Sequence, residues 1–451
     1  MGYIMRTVEE KNTLLQDIIE ESKQKGATDV DVFLYEGIAL STTTRWKKLE
    51  SLERSEQAEL GIRFFSGQKQ ALVSTTDFSK KSLSNLIARA ADMSKAIPED
   101  QYIGLTADSE IVTAYPELSI YDPAEPSEEE LMERARVAEE TALEVKGITN
   151  TEGGSAGWQK VSVAMAASNG FVGHYDRSSH SVSAVVVAGE GTQMERDYAY
   201  HTTNFVKDLM SPEKIGKEAA EKTLKRLNPR KISSTKAPII FEPKLSNNIL
   251  SYLASSINGA AIARGTSFLR ESMGQRILPE NISICDDPHL EKGQRSKPFD
   301  SEGRANQKRM FVENGVLQSW FLDNRSARQL GLSSTGHAAR GVSSPPSPSP
   351  TNLYMQAGDV TPQNLIGSIK KGLLVTEVIG SGFNGVTGDY SQGASGFWIE
   401  NGEILYPVNE VTIAGNMKDM FLNIVAANDL EFRYGFNAPT ICIENMTIAG
   451  K

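Results

Sequence analysis

The chain has 451 residues, a net charge of −10, 39% hydrophobic and 23% charged residues, which is typical of a globular protein long enough for two or three domains. The acidic balance opposes nucleic-acid binding, which depends on clustered lysine and arginine side chains that neutralise phosphates. The sequence contains no run of about 18 apolar residues, so no membrane span is predicted. The N-terminus lacks the apolar core of a secretion signal, and we therefore expect a cytoplasmic protein.

The first part of the chain, residues 1–98, reads as mixed helix and strand. Apolar side chains recur with helical spacing at both of its ends, and between them they alternate with polar ones as in half-buried strands. The predicted elements are a helix at residues 8–25, a strand at 29–37, two strands within 59–75 around Ser66-Gly67, and a helix at 79–97. Pro98 then opens a linker that runs to Pro126.

The second part, residues 127–228, begins with a helix signal. Ser127 followed by Glu130 forms a capping box for a helix at 128–145. An Asn169-Gly170 pair between alternating strands predicts a β-hairpin. Ser211-Pro212 opens a second helix that ends near Leu227, because a serine cap and a proline in the first turn both favour a helix start.

The third part, residues 235–451, is rich in strand signals. A strand at 237–243 precedes an apolar helix at about 245–263, and Asn-Gly turns at 314–315 and 401–402 predict hairpins. The Pro/Ser segment at 341–352 is expected to be extended, either as a flexible surface loop, which composition favours, or as the lining of a cleft. The predicted fold class is α+β: mixed helix and antiparallel-sheet parts followed by a β-rich C-terminal domain.

The segment from Gly380 to Gly396 contains the dinucleotide-type pattern G-x-G-x-x-G. That fingerprint requires a helix directly after the glycines to bind a pyrophosphate, whereas further glycines and a hairpin follow here, so we reject it. The glycines instead predict a groove that admits a second backbone, or a purely structural β segment. The candidate groove residues are Gly382, Gly388, Asp389, Tyr390 and Ser391.

Independent catalytic signatures are missing from the sequence. No G-x-S-x-G elbow occurs, and no two of the five histidines have the i, i+4 spacing of a helical zinc site. We interpret the histidines, including His337, as structural or surface residues. Cys285 and Cys442 lie in apolar strand-like contexts and are predicted to be buried free thiols.

Long motifs of the third part resemble the TldD/PmbA family, specifically its PmbA (TldE) branch. They are "ARGTSFLRES" from Ala263, "TGHAARG" from Thr335, the Pro/Ser segment, and the stretch from "GSGFNGVTGDYSQGASGFWIENGE" to "IENMTIAG". The resemblance implies the PmbA/TldD fold and a cytoplasmic zinc-dependent protease of two related subunits. It also implies unfolded or peptide-like substrates, such as leader peptides and antitoxins. An older family label is modulator of DNA gyrase.

In the TldD subunit of that family a helix carries H-E-x-x-x-H and a later cysteine completes the zinc site. The corresponding helix here, residues 244–269, contains no His, Glu, Asp or Cys. Leu250, Ser251 and Ser255 lie near the positions of the ligands and general base, so the resemblance implies a degenerate site without catalytic or metal-binding residues.

We therefore expect the chain to be a non-metal-binding subunit, with zinc in a TldD-like partner and with a possible homodimer alone. Two alternatives are an active metallopeptidase in its own right and a binding protein that regulates a gyrase-linked pathway.

Overall fold

The computed structural model of the protein describes residues 5–451, and the first two predicted parts share one antiparallel sheet. Its strands are β1 (Asp29–Arg45), β2 (Lys48–Ser66), β3 (Lys69–Thr75), β4 (Ile148–Ala167), β5 (Val172–Ala188) and β6 (Glu195–Thr203). They lie in the order β3-β2-β1-β4-β5-β6. The pairing of β1 with β4, from Asp31 opposite Ala167 to Thr44 opposite Gly154, joins the two parts.

Helices cover one face of this sheet: α1 (Val8–Gln24), α2 (Lys80–Ala96), α3 (Glu128–Leu143) and α4 (Pro212–Lys225). Leu15 of α1 and Ile87 of α2 belong to one buried apolar cluster with Val32 of β1, while Ala138 and Ala219 belong to another with the same face of β5. The long strands alternate buried and more exposed residues, since successive side chains point to opposite faces. None of the helices described between residues 5 and 451 has the length and apolar content needed to cross a bilayer.

The helix starts follow the local signals in the sequence. Ser127 accepts a hydrogen bond from the backbone N–H of Glu130, whose side chain in turn accepts from the N–H of Ser127, so the predicted capping box is confirmed. Ser211 caps α4, with Pro212 in its first turn. Both helices end within two residues of the predicted limits.

The hairpin of β1 and β2 extends far beyond the predicted strand at 29–37. Its turn residues, Trp46 and Lys47, have positive φ angles of 52° and 62°, although neither is a residue that favours this conformation. Their backbone N–H groups donate to the carboxylate of Glu139 on α3, at 2.6 and 3.0 Å. This buried glutamate holds the tip of the hairpin against the helix layer.

Five strands of the C-terminal domain close on themselves: β7 (Thr235–Phe241), β14 (Lys371–Ile379), β15 (Asp389–Glu400), β16 (Glu403–Asn416) and β19 (Ile441–Ala449). They lie in the order β16-β15-β14-β7-β19, and Thr412–Ala414 of β16 pairs with Thr447–Ala449 of β19 to complete the circle. The Asn401-Gly402 turn joins β15 to β16 with positive φ at both residues, as predicted.

The remaining strands of the C-terminal domain are short. They are β8 (Ile284–Asp286), β9 (Arg309–Glu313), β10 (Val316–Leu317), β11 (Ala338–Ala339), β12 (Ser347–Pro348), β13 (Leu353–Met355), β17 (Ile424–Ala426) and β18 (Phe436–Asn437). Five of them form a sheet in the order β10-β9-β8-β13-β18, β11 pairs with β12, and β17 pairs with β19. The helices are α5 (Pro243–Ser256), α6 (Gly259–Ala263), α7 (Asn324–Leu330), α8 (Pro362–Gly367) and α9 (Met417–Leu422).

The prediction of one helix across residues 245–263 is wrong, because the helix breaks after Ser256. Asn258 starts α6 by accepting hydrogen bonds from the N–H groups of Ala260 and Ala261 at 3.0 and 3.3 Å. At the break, Phe321 donates its N–H to the carbonyl of Ile257 and accepts one from Gly259. Backbone groups freed from the helix therefore pair with another segment.

The Pro/Ser segment at 341–352 is extended but packed, and in this it differs from the flexible surface loop favoured by its composition. Its strand β12 pairs with β11, and Val342 is buried against β1 and β4. A Cβ atom on Gly61 of β2 would lie only 1.9 Å from the carbonyl oxygen of Val342. The segment thus crosses the N-terminal sheet where β2 has no side chain.

Candidate functional site

Helix α5 carries the three positions of the predicted degenerate metal site. Leu250 is 1% exposed and belongs to the core of the C-terminal domain, Ser251 is partly buried, and Ser255 is exposed. The hydroxyl of Ser255 donates to the carbonyl of Tyr252 at 2.8 Å. Leu245, Ile249 and Leu253 complete an apolar stripe that packs on the closed sheet.

The residues of α5 do not fit a zinc ion. Protein zinc ligands are histidine, cysteine and carboxylate side chains, and α5 contains none of them. Within residues 5–451 no group of three or more such side chains is placed to hold a metal. Serine and leucine at positions 250, 251 and 255 supply neither the ligands nor a general base.

A cavity of about 350 Å³ opens at the N-terminal end of α5. We call it the α5 cavity, and its lining includes Tyr198, Tyr200, Glu242, Lys244, Asn247, Asp429, Arg433 and Tyr434. The side-chain oxygen of Asn247 accepts the N–H of Ala438 at 2.7 Å, which fixes the segment after β17 beside the helix. The fold thus brings together the two regions to which the resemblance assigns the metal ligands.

Burial shifts the pKa values of polar groups in the α5 cavity. Burial raises the pKa of Glu242 and also that of Tyr200, where Tyr434 adds to the effect. Lys244 donates to the hydroxyl of Tyr198 and lies 3.9 Å from the centre of its ring. The cavity therefore presents phenols and cations that can hydrogen-bond to peptide groups. It lies beside β6, an edge strand of the N-terminal sheet.

The glycine-rich segment folds back on β15, and no helix follows Gly385. This agrees with the rejection of a dinucleotide site, which needs a helix directly after the glycines. The carbonyl of Gly382 accepts the N–H of Ser391 at 2.8 Å. A Cβ on Gly382 would lie 1.5 Å from the carbonyl oxygen of Ser391. Gly388 has a φ of +81° and donates to the carbonyl of Asn384. Both glycines permit close approach by the chain's own backbone.

The three polar groove candidates point in two directions. Asp389 and Ser391 are exposed, and the carboxylate of Asp389 accepts hydrogen bonds from Thr387 and Asn416 that lower its pKa. Tyr390 lies on the opposite side of β15, 2% exposed, with its ring 6.1 Å from that of Tyr252 on α5. Burial raises the pKa of Tyr390, and its position is in the core rather than on the surface.

A second cavity, of about 690 Å³, adjoins the glycine-rich segment. The segment reaches it through Val386 and Thr387 rather than through the five predicted residues. The opposite wall comes from Phe268 and Arg270 of the "ARGTSFLRES" motif. The cavity shows that this motif and the glycine-rich segment lie side by side.

His337 of the "TGHAARG" motif is a fully buried structural residue. Its Nδ1 lies 2.8 Å from the carbonyl of Thr335, and its Nε2 lies 3.1 Å from the carboxylate of Asp286. The same carboxylate accepts the N–H of Thr351 at 2.7 Å, so it ties the end of the Pro/Ser segment to β8. Cys285 and Cys442 are buried and free, as predicted.

Sequence reasoning missed a set of buried charges where the N-terminal sheet meets the C-terminal domain. Asp31 of β1 accepts from Nη1 of Arg340 at 2.5 Å and from Nε of Arg63 on β2 at 2.8 Å. All three side chains are almost fully buried. No local signal could reveal the contact, because 309 residues separate Asp31 from Arg340.

The chain is similar to known proteins over nearly its whole length. Family models for the PmbA/TldA metallopeptidase C-terminal domain, central domain and domain 1 match residues 234–450, 121–227 and 30–94. Metalloprotease PmbA of Escherichia coli O157:H7 is 37% identical over 454 residues, covering 99% of each chain.

Two solved structures share the fold. A candidate modulator of DNA gyrase from Bacteroides thetaiotaomicron VPI-5482 is 28% identical, with a TM-score of 0.91 over 99% of this chain and 100% of its own. TldE from Thermococcus kodakarensis is 20% identical, with a TM-score of 0.81 over 97% and 100%. Because the sequence identity to PmbA spans nearly the whole chain and all three family models match, the chain belongs to the PmbA/TldD metallopeptidase family.

Proposed function

We propose that this chain is the non-metal-binding subunit of a two-subunit, cytoplasmic zinc protease that cleaves unfolded or peptide substrates such as leader peptides and antitoxins. A TldD-like partner supplies the zinc ion. The observation that carries the proposal is the composition of α5, which lacks every zinc-ligand type in a chain that belongs to a metallopeptidase family.

Zinc hydrolysis of a peptide bond requires three protein ligands, an open position for water, and a base to take the proton. Leu250 lies in an apolar core, and the hydroxyl of Ser255 donates a hydrogen bond to a backbone carbonyl of the same helix. On this reading α5 stabilises the C-terminal domain, and the water that attacks the substrate is activated in the other chain.

The contribution of this chain is then to hold the substrate. The α5 cavity offers tyrosine hydroxyls, Lys244 and Arg433 beside the edge strand β6. Edge strands bind extended peptides through main-chain hydrogen bonds, with little demand on side-chain identity. The segment from Gly380 to Gly396 remains a proposed second groove wall, in which Asp389 and Ser391 provide the exposed polar groups.

Related subunits can pair through equivalent surfaces about a pseudo-two-fold axis. We therefore propose a heterodimer with the TldD-like chain and, in its absence, a homodimer that uses the same surface. The homodimer would bind peptide but would not hydrolyse it.

The test is to purify this chain and a TldD-like chain separately and then to mix them. Size-exclusion chromatography, elemental analysis and cleavage of an unstructured peptide are followed before and after mixing. Zinc is expected only with the partner, and cleavage only in the mixture. A matched complex whose partner carries a glutamine for the H-E-x-x-x-H glutamate should have the same size and no activity. Peptide cleavage by this chain alone, or the absence of a complex, would refute the proposal.

Two alternatives are distinguished by measurements on this chain without the TldD-like partner. About one zinc per chain in this protein alone would indicate an active metallopeptidase. The name of the Bacteroides relative motivates a second alternative, a regulator in a gyrase-linked pathway. A stable complex with gyrase that forms without a TldD-like chain would favour that function.

A further inference from the structure

A cavity of about 550 Å³ lies between one face of the six-stranded sheet and the start of the Pro/Ser segment. We call it the sheet-face cavity. Aromatic and aliphatic side chains form most of its walls, and polar groups stand among them. Its lining includes Tyr35, Val161, Val163, Tyr175, Arg177 and Arg340.

Strand register places the sheet residues of this cavity side by side. Tyr35 is opposite Val163, which is opposite Tyr175 on the next strand, and Val161 is opposite Arg177. Directly opposed residues of antiparallel strands share a face. These side chains point away from the helix layer, which covers the alternate residues of the same strands.

The arginines of the cavity have more donors than the protein satisfies. Arg177 donates to the carbonyls of Gln294, at 2.7 Å, and Ser296, while its Nε is buried without a hydrogen-bond partner. The side chain of Arg340 is fully buried and donates through Nη1 to Asp31. Its Nε and Nη2 are buried without a partner among residues 5–451.

Positive charge also exceeds negative charge around the cavity. Asp31 is shared by Arg340 and Arg63, and within the described chain Arg177 forms no ion pair with a carboxylate. Glu59 is partly exposed at the wall, and Glu302, which acts electrostatically on Arg340, is a buried carboxyl with a raised pKa. Burial lowers the pKa of both Arg177 and Arg340, as expected where a guanidinium lacks full compensation.

We propose that the sheet-face cavity binds a carboxylate of an extended peptide, with Arg177 and Arg340 as donors and the aromatic walls as contacts for neighbouring side chains. Guanidinium groups match carboxylates in shape and charge. Next to the cavity the same sheet face bears Ala39, Gly157, Ser179 and Ser181, whose small side chains leave room for a passing chain. The inference rests on the proposed peptide-handling function and specifies its substrates as acidic or carboxylate-terminated.

Binding is measured on this chain alone, by fluorescence anisotropy with an unstructured peptide labelled at its N-terminus. The peptide carries one glutamate and a free C-terminus. Matched probes have an amidated C-terminus, a glutamine for the glutamate, or both changes. The doubly neutral probe is expected to bind at least about tenfold more weakly, the order of one charge-assisted hydrogen bond. Loss on amidation alone identifies the C-terminal carboxylate as the ligand, and loss with glutamine alone identifies the side chain.

Two variants locate the site. Arg177→Met removes one cationic donor. Val161→Phe fills the cavity and leaves both arginines intact. The second variant therefore tests the site even if Arg177→Met fails to fold. Each is expected to weaken binding of the acidic probe at least about tenfold. The control Arg196→Met removes an exposed arginine that pairs with Glu152 on the same sheet, and it should bind as the unmodified chain does.

Equal affinity for acidic and neutral probes, or unchanged binding by Val161→Phe, would overturn the inference. These results are independent of the proposed two-subunit function, because neither zinc nor the partner is present. Failure of the chain to pair with a TldD-like subunit, with carboxylate-dependent binding retained, would overturn only that function.

Discussion

Replacement of Asp31 by asparagine should be among the most destabilising single changes in this protein. The carboxylate is 1% exposed and accepts hydrogen bonds from Arg63 and Arg340, themselves buried. Asparagine keeps the shape but leaves two guanidinium charges without their counter-ion. Removal of one partner from a buried ion pair typically costs about 3–5 kcal/mol. Since the asparagine oxygen can still accept one hydrogen bond, we expect about 3 kcal/mol here.

The pH dependence gives an independent check of the same contact. Burial acts to raise the pKa of Asp31, but Arg340 and Arg63 overcome it and the net pKa is lowered. A carboxyl with a lowered pKa in the folded state contributes stability above its unfolded pKa, about 3.9, and loses it as the pH falls through the folded value. The asparagine variant should therefore lose less stability than the unmodified chain when the pH is taken from neutral into this acid range.

Urea denaturation followed by tryptophan fluorescence measures both effects. The matched control is Asp92→Asn, in which the replaced carboxylate and its partner Lys95 are both about three-quarters exposed, and this variant should unfold at the unmodified midpoint. An Asp31→Asn midpoint equal to that of the control would refute the argument that this buried carboxylate couples the two domains.

Three further results are expected. Burial, reinforced by Asp300, raises the pKa of Glu302 to about 8. A carboxyl whose pKa is raised on folding destabilises the folded state increasingly as the pH rises from the unfolded pKa of about 4.3 to the folded value. The free energy of unfolding gained by Glu302→Gln, measured with urea, should therefore increase over that range, and a pH-independent gain would contradict this. Gly382→Ala should cost about 3 kcal/mol because the new Cβ would lie 1.5 Å from a carbonyl oxygen, whereas Gly367→Ala meets nothing within 4 Å and serves as control for the denaturation midpoint. Burial raises the pKa of Cys442 to about 12 and also raises that of Cys285, so a thiol reagent at neutral pH should label neither cysteine before unfolding and both afterwards; rapid labelling of the native chain would disprove their burial.

Local chemistry explains which elements could be predicted. Ser127 and Glu130, three residues apart, cap α3. Asn401 has a positive φ angle, which asparagine adopts more readily than most residues, so the Asn401-Gly402 turn is also set locally. The Trp46-Lys47 turn lacks such a signal, since it depends on Glu139, more than 90 residues away. Closure of the C-terminal sheet similarly depends on β16 meeting β19, a contact that neither strand specifies alone.

The candidate site likewise has features that the local sequence specifies and features that depend on distant contacts. The absence of zinc-ligand residues from the helix could be read directly from its letters, although its break at Ile257 depends on Phe321 from a distant segment. From the sequence, Tyr390 is grouped with Asp389 and Ser391 as a polar groove candidate of the glycine-rich segment. Strand alternation instead turns it into the core, toward Tyr252. Arg177 and Arg340 were missed because only the tertiary fold brings them to one cavity.

Apolar packing stabilises α5 near the positions where the resemblance implies metal ligands in a TldD-type chain. A buried leucine contributes of order 2 kcal/mol by leaving water, and Leu250 does so within a stripe that includes Ile249 and Leu253. A zinc ligand at that point would need a second polar group to orient it and would draw folding free energy from the metal. The apolar stripe stabilises α5 without either requirement. The N-terminal end of the helix thereby keeps its place beside the α5 cavity by apolar packing alone, as the proposed substrate-positioning role of this chain requires.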